Sequence, residues 1–126
     1  MAGASGSLHE SPDVLKAETV DRHRAIVSIM EELEAIDWYD QRVDAAQDDE
    51  LRAILAHNRD EEKEHATMVL EWLRRHDPHF DQQLRTYLFA DKPVLEIETA
   101  AEQSGAAAAS GDGSLRIGSL RGEGSR

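Results

Sequence analysis

Two glutamates and a histidine interrupt rows of apolar residues that have helical spacing. Glu32 lies in a row spaced three and four residues apart, whose other members are Ala25, Ile29, Ile36, Tyr39 and Val43. Glu62 and His65 lie in a second row, together with Leu51, Leu55, Asn58, Val69 and Trp72. Residues at this spacing share one face of a helix, and such a face packs against another element. The three polar side chains are therefore predicted to lie between packed helices, where an unpaired carboxylate is costly.

A bound divalent cation would remove that cost. Two neighbouring carboxylates repel each other, and a cation between them reverses the repulsion. Glu62 and His65 also form a Glu-x-x-His motif, which places a carboxylate and an imidazole on the same side of one metal ion. Oxygen ligands with one imidazole suit iron or manganese and do not resemble a structural zinc site. The residue types therefore predict a metal centre at Glu32, Glu62 and His65.

A structural polar layer is the alternative interpretation of the same residues. A Glu-x-x-His motif is weak by itself, because acidic helices that carry a histidine often contain one. In this alternative, Glu62 pairs with Arg59 or Arg22, and His65 is a hydrogen-bonded core residue. Structural ion pairs also perturb buried acids, so the motif alone does not distinguish the two interpretations.

The elements that must position these residues are predicted to be helices. Ser11 and Pro12 combine a capping serine with proline at the first helical position, and no Gly or Pro follows until after residue 45. Acidic residues at 48–50 suit the start of a second helix. We predict a first helix from Pro12 to about Ala45, a second from about Asp49 to Arg75, and a short third between Asp77 and Leu88. Nothing alternates as a strand, so the fold class is all-α.

The predicted hairpin brings the two glutamates level. If the chain reverses near Gln47, Glu32 lies 15 residues before the turn and Glu62 lies 15 residues after it. Both are then about 22 Å from the turn in antiparallel packing. Four-helix di-iron sites use a Glu from each of two helices and a Glu-x-x-His from each of the other two. One hairpin supplies half of that set, so we predict a four-helix bundle completed by dimerisation, with the active site between subunits.

Three further residues are candidates for the same chemistry. Glu31 and Glu34 face away from Glu32 and predict either a second, outer cation site or a solvated acidic face. Tyr39 shares the row of Glu32, so it is a candidate to hydrogen-bond near the metal or to donate an electron. Most such aromatic residues only pack, which is the alternative for Tyr39.

Composition narrows the classes of protein to which the chain can belong. The 126 residues carry a net charge of -12 and no cysteine, which excludes disulfide scaffolds and thiolate metal sites. The negative charge argues against nucleic acid and anionic lipid as partners. No apolar run is long enough for a membrane span, and the N-terminus has no secretion signal. We expect a cytoplasmic location.

The charge is confined to the first part of the chain. Residues 1–99 hold 23 acidic and 11 basic residues, whereas the last 27 residues hold three of each and are rich in Gly, Ser and Ala. This change predicts a flexible arm at 1–10, a helical domain at 11–89, a flexible linker at 90–113 and a disordered C-terminal tail. Within residues 114–126, Leu115, Ile117 and Leu120 have nothing to pack against internally. They predict a tethered peptide that docks on another protein, with an inert tail as the alternative.

Three stretches together resemble the encapsulated ferritins, which are short ferritin-like proteins packed inside encapsulin shells. Residues 22–40 (RHRAIVSIMEELEAIDWYD) and 57–65 (HNRDEEKEH) are similar to the two long helices of that family. Residues 115–121 (LRIGSLR) are similar to its encapsulin-targeting peptide. The resemblance extends over residues 11–121.

The resemblance implies a function and an assembly. It implies a ferroxidase, in which dioxygen oxidises two Fe(II) ions at a di-iron centre formed by Glu32, Glu62 and His65 from two subunits. It also implies a ring of dimers, with ten subunits, in the lumen of an encapsulin nanocompartment. Glu31 and Glu34 become a secondary metal site, with Trp38 adjacent. A non-catalytic metal-binding cargo protein and a purely structural helical hairpin are the alternative functions.

Overall fold

The computed structural model describes residues 6–111, with side chains up to residue 105. A 3-10 turn at Pro12–Val14 precedes four helices, which are α1 (Ala17–Ala45), α2 (Asp49–Arg75), α3 (Pro78–Tyr87) and α4 (Val94–Gly111). No strand forms among these residues, and the all-α prediction is confirmed. None of the described helices is long and apolar enough to cross a membrane. The chain divides after Asp81 into two compact units, and α1 and α2 form most of the first.

The first helix begins later than predicted. Ser11 caps only the short turn, where its hydroxyl accepts a hydrogen bond from the Asp13 amide at 3.3 Å. Leu15 and Lys16 are then extended, with ψ angles of 138° and 150°. The prediction that the first helix starts at Pro12 is wrong. A Ser-Pro signal is satisfied by a single turn and does not determine how far the helix continues.

A tight connection joins α1 to α2 and produces the predicted hairpin. The Asp48 carboxylate accepts a hydrogen bond from the Leu51 amide at 2.8 Å and so caps the start of α2. The Arg52 side chain donates from Nε to the Ala46 carbonyl at 3.1 Å. This bond satisfies a carbonyl just beyond the C-terminus of α1 and ties it to the first turn of α2.

The core of the hairpin is small. Among the described residues only Ala25, Ala66 and Leu73 are buried. Larger apolar side chains on the same two helices remain exposed, among them Ile26, Leu33, Trp38, Leu51, Ile54, Met68 and Trp72. A single hairpin therefore leaves much of its apolar surface in water, which is the condition under which small domains associate.

Ion pairs organise the corner between α2 and α3. Asp77 caps α3 by accepting a hydrogen bond from the Phe80 amide at 3.0 Å. Arg74 donates from Nε to Glu71 at 2.8 Å and also pairs with Asp81. Hydrogen bonds from Arg74 and then Arg75 lower the pKa of Glu71 to about 2, so this carboxylate stays ionised down to strongly acidic pH.

Helix α4 lies where the composition predicts a flexible linker. That prediction over residues 90–113 is wrong for Val94–Gly111, which are helical. The Pro93 carbonyl accepts hydrogen bonds from the Glu96 and Ile97 amides at 3.0 and 3.2 Å, which starts the helix. Much of this segment is alanine, which is the strongest helix former of all residues, whereas Gly and Ser are not. Residues 114–126, predicted to be a docking peptide, lie outside the described part of the chain.

Candidate metal centre

Glu32 of α1 meets Glu62 and His65 of α2 in one cluster. Each residue offers one ligand atom, and these atoms all lie within 4.8 Å of one another. The closest pair is His65 Nδ1 and Glu62 Oε1 at 3.1 Å, and His65 Nδ1 lies 3.9 Å from Glu32 Oε2. The helical rise alone predicts the level at which the two helices bring these groups together.

The cluster lies at the edge of the hairpin and is only partly covered by it. The side chains of Glu32 and Glu62 are 25% and 24% exposed, and that of His65 is 43% exposed. Their cover on one side comes from the close contact of α1 with α2, where Ala66 is buried next to His65. Within a single hairpin, His65 is therefore part-buried and not a core residue. Its imidazole stands where a further element could reach it.

The two carboxyl groups behave as a pair. Burial raises the pKa of Glu32, and the hydrogen bond and negative charge of neighbouring Glu62 raise it further. The pKa of Glu62 is lowered, chiefly because Glu32 donates a hydrogen bond to its carboxylate. A hydrogen bond to Glu62 raises the pKa of His65. As the pH falls, Glu32 therefore takes up a proton before Glu62 does, and the His65 imidazole is charged more readily than a free one.

Neither arginine considered as a partner of Glu62 pairs with it. Arg22 donates to the His76 carbonyl at 3.5 Å. Arg59 is bound by Asp40 of α1 and by Asp60 of α2, each at 3.1 Å. The sequence offers no direct signal for the Asp40 contact, since Asp40 and Arg59 are not level about the turn. The long arginine side chain spans the difference of five residues, about 7.5 Å along the helix.

The other candidate residues lie outside the cluster. Glu31 is exposed, and its negative charge contributes to the raised pKa of Glu32. Glu34 is half-buried and, like Glu31, supplies no atom to the group of ligand atoms. Tyr39 lies two turns from Glu32, about 10 Å along α1, and the Arg42 guanidinium lies 5.4 Å from its ring centroid. Roles for these three residues stay predictions.

One hairpin presents two carboxylates and one imidazole from one small region. Such a donor set suits a hard or borderline divalent cation and leaves coordination positions open. It is also half of the ligand set of a four-helix di-iron site, with one Glu from α1 and one Glu-x-x-His from α2.

Comparison with known proteins identifies the family of the chain. The family model described as EncFtn-like matches residues 7–91, which span α1 to α3. The chain belongs to this family of encapsulated ferritin-like proteins. The resemblance drawn from residues 22–40, 57–65 and 115–121 is thereby confirmed at the level of the family.

Relatives of the encapsulated ferritin-like chain extend the match beyond the family model. It is 66% identical to the encapsulated ferritin-like protein of Rhodospirillum rubrum, over 98% of this chain and 94% of the relative. It is 35% identical to the encapsulin nanocompartment cargo protein EncC of Myxococcus xanthus, over 75% of this chain and 80% of the relative. The similarity to the first of these necessarily runs through α4 and into residues 114–126.

A solved structure shares the fold of the encapsulated ferritin-like chain. The crystal structure of protein ne0167 from Nitrosomonas europaea superposes with a TM-score of 0.68 at 61% identity. It covers 70% of this chain and 97% of its own. The covered 70% of this chain thus shares the fold of almost the whole of that solved relative.

Proposed function

We propose that the protein is a ferroxidase that oxidises Fe(II) with dioxygen at a site shared by two copies of the chain. The observation that carries this proposal is the cluster of Glu32, Glu62 and His65 at the partly covered edge of the hairpin. Membership of the encapsulated ferritin-like family supports iron as the substrate metal.

Two copies would supply four carboxylates and two imidazoles to two iron ions. Carboxylates hold Fe(III) more strongly than Fe(II), because the extra positive charge increases the electrostatic attraction. Their negative charge therefore favours loss of an electron from each iron, with dioxygen as the acceptor. The protein side chains do not fill every coordination position, so dioxygen has room to reach the metal.

Iron binding competes with protonation of the cluster. Burial and then neighbouring Glu62 raise the pKa of Glu32, and a hydrogen bond to Glu62 raises the pKa of His65. A metal requires both groups in their deprotonated forms, so Fe(II) binding releases protons to water. The repulsion between the carboxylates that helps to raise the pKa of Glu32 also favours a bound divalent cation.

Turnover distinguishes this function from simple metal binding. We expect anaerobic loading of the protein with excess Fe(II), followed by air, to give Fe(III) absorbance for many irons per dimer. Absorbance that stops at two irons per dimer would instead indicate a protein that binds iron without turning it over. A protein-free sample at the same pH measures the spontaneous oxidation to be subtracted.

Pairing of two hairpins is the second expectation of the proposal. Met68 lies one turn beyond His65 on α2, and its side chain is 57% exposed. We expect Met68→Arg to shift the protein to a monomer and to reduce oxidation by about ten-fold or more, because each copy then holds half of the site. Size-exclusion chromatography with light scattering measures the mass.

Thr67→Arg is the matched control for this substitution. Thr67 is also exposed, but it lies 100° around α2 from Met68, on the side away from His65. It should keep the oligomer and the activity. A dimer that persists in Met68→Arg, or a Thr67→Arg variant that dissociates equally, would contradict pairing through the His65 side of the hairpin.

The wider assembly and the remaining residues complete the proposal. The names of the R. rubrum and M. xanthus relatives support packaging of this chain in the lumen of an encapsulin shell. We place this shell in the cytoplasm. Residues Leu115, Ile117 and Leu120 would dock on the shell protein, and dimers would assemble to a ring of ten subunits.

Glu31 and Glu34 would form a secondary metal site, and Tyr39 would act near the irons. Oxidised iron would be stored in the shell.

A further inference from the structure

We propose that Asp40 and Asp60 are positioning residues that hold the Arg59 guanidinium away from Glu62 and keep this carboxylate open to a cation. The inference rests on the proposed function, because it concerns access to the same cluster. It assigns a role to a charged group that stands beside the site and contributes no ligand atom to it.

Arg59 and His65 lie on the two sides of Glu62. One is three residues before Glu62 on α2 and the other is three residues after it, so each is a neighbour on the helix surface. At 100° per residue they project about 60° to either side of Glu62. The His65 side is used, since its Nδ1 lies 3.1 Å from Glu62 Oε1. The Arg59 side chain points elsewhere.

Two aspartates account for the direction of Arg59. Its Nη1 lies 3.1 Å from Asp40 Oδ1 across the hairpin, and its Nε lies 3.1 Å from Asp60 Oδ1 on its own helix. The Arg59 side chain is only 23% exposed, so the guanidinium is held against the protein. The Asp60 carboxylate also pairs with Lys63, the next cationic residue along α2, at 3.4 Å.

An unrestrained Arg59 would be attracted to the glutamates. Arginine is always charged and binds carboxylates with a planar set of donors, and Glu32 and Glu62 together form a concentrated acidic group. A guanidinium paired with Glu62 would relieve the carboxylate repulsion that favours cation binding, and it would have to be displaced by each incoming metal. The two aspartates prevent this by holding the Arg59 guanidinium in two other ion pairs.

The metal affinity of the intact chain tests the proposal through a cycle of variants. The probe is Mn²⁺, whose free ion is measured by its electron paramagnetic resonance signal, at fixed pH and ionic strength. We expect Asp40→Asn combined with Asp60→Asn to weaken Mn²⁺ binding by about three- to ten-fold, because the freed guanidinium competes for Glu62. Adding Arg59→Gln to this variant should restore binding to within about two-fold of the original chain.

Arg59→Gln alone distinguishes positioning by the aspartates from a structural role of the Asp40–Arg59 bridge and from a simple effect of charge. We expect it to change Mn²⁺ affinity by less than about two-fold, because its charge is already neutralised by two aspartates. An Arg59→Gln variant as weak as the aspartate variant would show that the bridge between helices is merely structural and overturn the proposal. An equal gain in Mn²⁺ affinity from Arg59→Gln in the original chain and in the aspartate variant would also overturn the proposal, since the aspartates would then act only through their charge.

Asp37→Asn and Glu62→Ala are the controls. Asp37 carries the same charge on the same helix, five residues from Glu32 against eight for Asp40, and it should leave binding near the original value. Loss of affinity in Asp37→Asn equal to that of the aspartate variant would count against positioning. Glu62→Ala should abolish Mn²⁺ binding. If it does not, the cluster is not the metal site, and the proposed function fails together with this inference.

Discussion

Replacing Glu62 with alanine is expected to reduce Fe(II) oxidation by about 100-fold or more. Even residues that only support a metal ligand cost roughly 10- to 100-fold when they are removed, and Glu62 is proposed to be a ligand itself. In a site shared by two copies, one substitution removes two ligands from each pair of irons. We expect similar losses for Glu32→Ala and His65→Ala, measured as initial rates of Fe(III) absorbance after addition of air.

Glu64→Ala is the matched control for the ligand variants. Glu64 lies between Glu62 and His65 on α2, but it is exposed and supplies no atom to the cluster. Glu64→Ala changes the net charge by the same amount as Glu32→Ala or Glu62→Ala. It should leave the oxidation rate within about two-fold of the original. Unchanged oxidation in all three ligand variants, with helical content preserved by circular dichroism, would refute the assignment of the site.

Removal of residues 114–126 is expected to abolish packaging. Leu115, Ile117 and Leu120 are the apolar residues of this segment, and a short peptide of this kind binds by placing such side chains in a groove of its partner. We expect the shortened chain, co-expressed with an encapsulin shell protein, to be absent from the purified shells. Its oxidation rate should be unchanged, because the proposed ligands lie in α1 and α2.

A full-length variant keeps the tail while removing its apolar contacts. Changing Leu115, Ile117 and Leu120 together to serine should lose packaging as completely as the deletion does. Ser114→Ala with Ser119→Ala alters the same segment without removing an apolar side chain and should be packaged normally. Cargo found inside shells after the deletion would contradict docking through this segment.

The cluster could be predicted from the sequence because a helix rises by a constant amount per residue. Counting 15 residues to either side of Gln47 places Glu32 level with Glu62, and no side-chain conformation enters that estimate. The contact of Asp40 with Arg59 depends instead on the rotamers of a long side chain, which also contacts Asp60 and has Glu62 three residues away on the same helix. Propensity and spacing do not choose among such partners, so the sequence left Arg59 as a possible partner of Glu62.

The boundaries of the helices were predicted less well than their existence. Ser11 and Pro12 satisfy only a local turn, and the start of α1 at Ala17 follows from extended residues that carry no strong signal. Helix α4 was missed because alanine was grouped with glycine and serine as a linker residue. In both cases the error lies in local backbone preference, whereas the long amphipathic pattern of α2 predicted that helix from Asp49 to Arg75.

Because the core of Ala25, Ala66 and Leu73 is small, the proposed oxidation should depend on the concentration of the chain. We expect a hairpin with so little buried surface to be stabilised by pairing, and the fraction of paired chains then rises with their concentration. In the proposed site each iron pair takes ligands from two chains, so the rate per chain should fall on dilution even when Fe(II) and dioxygen are abundant. Confinement at high local concentration would then switch on oxidation, and chains dispersed through the cell would stay inactive.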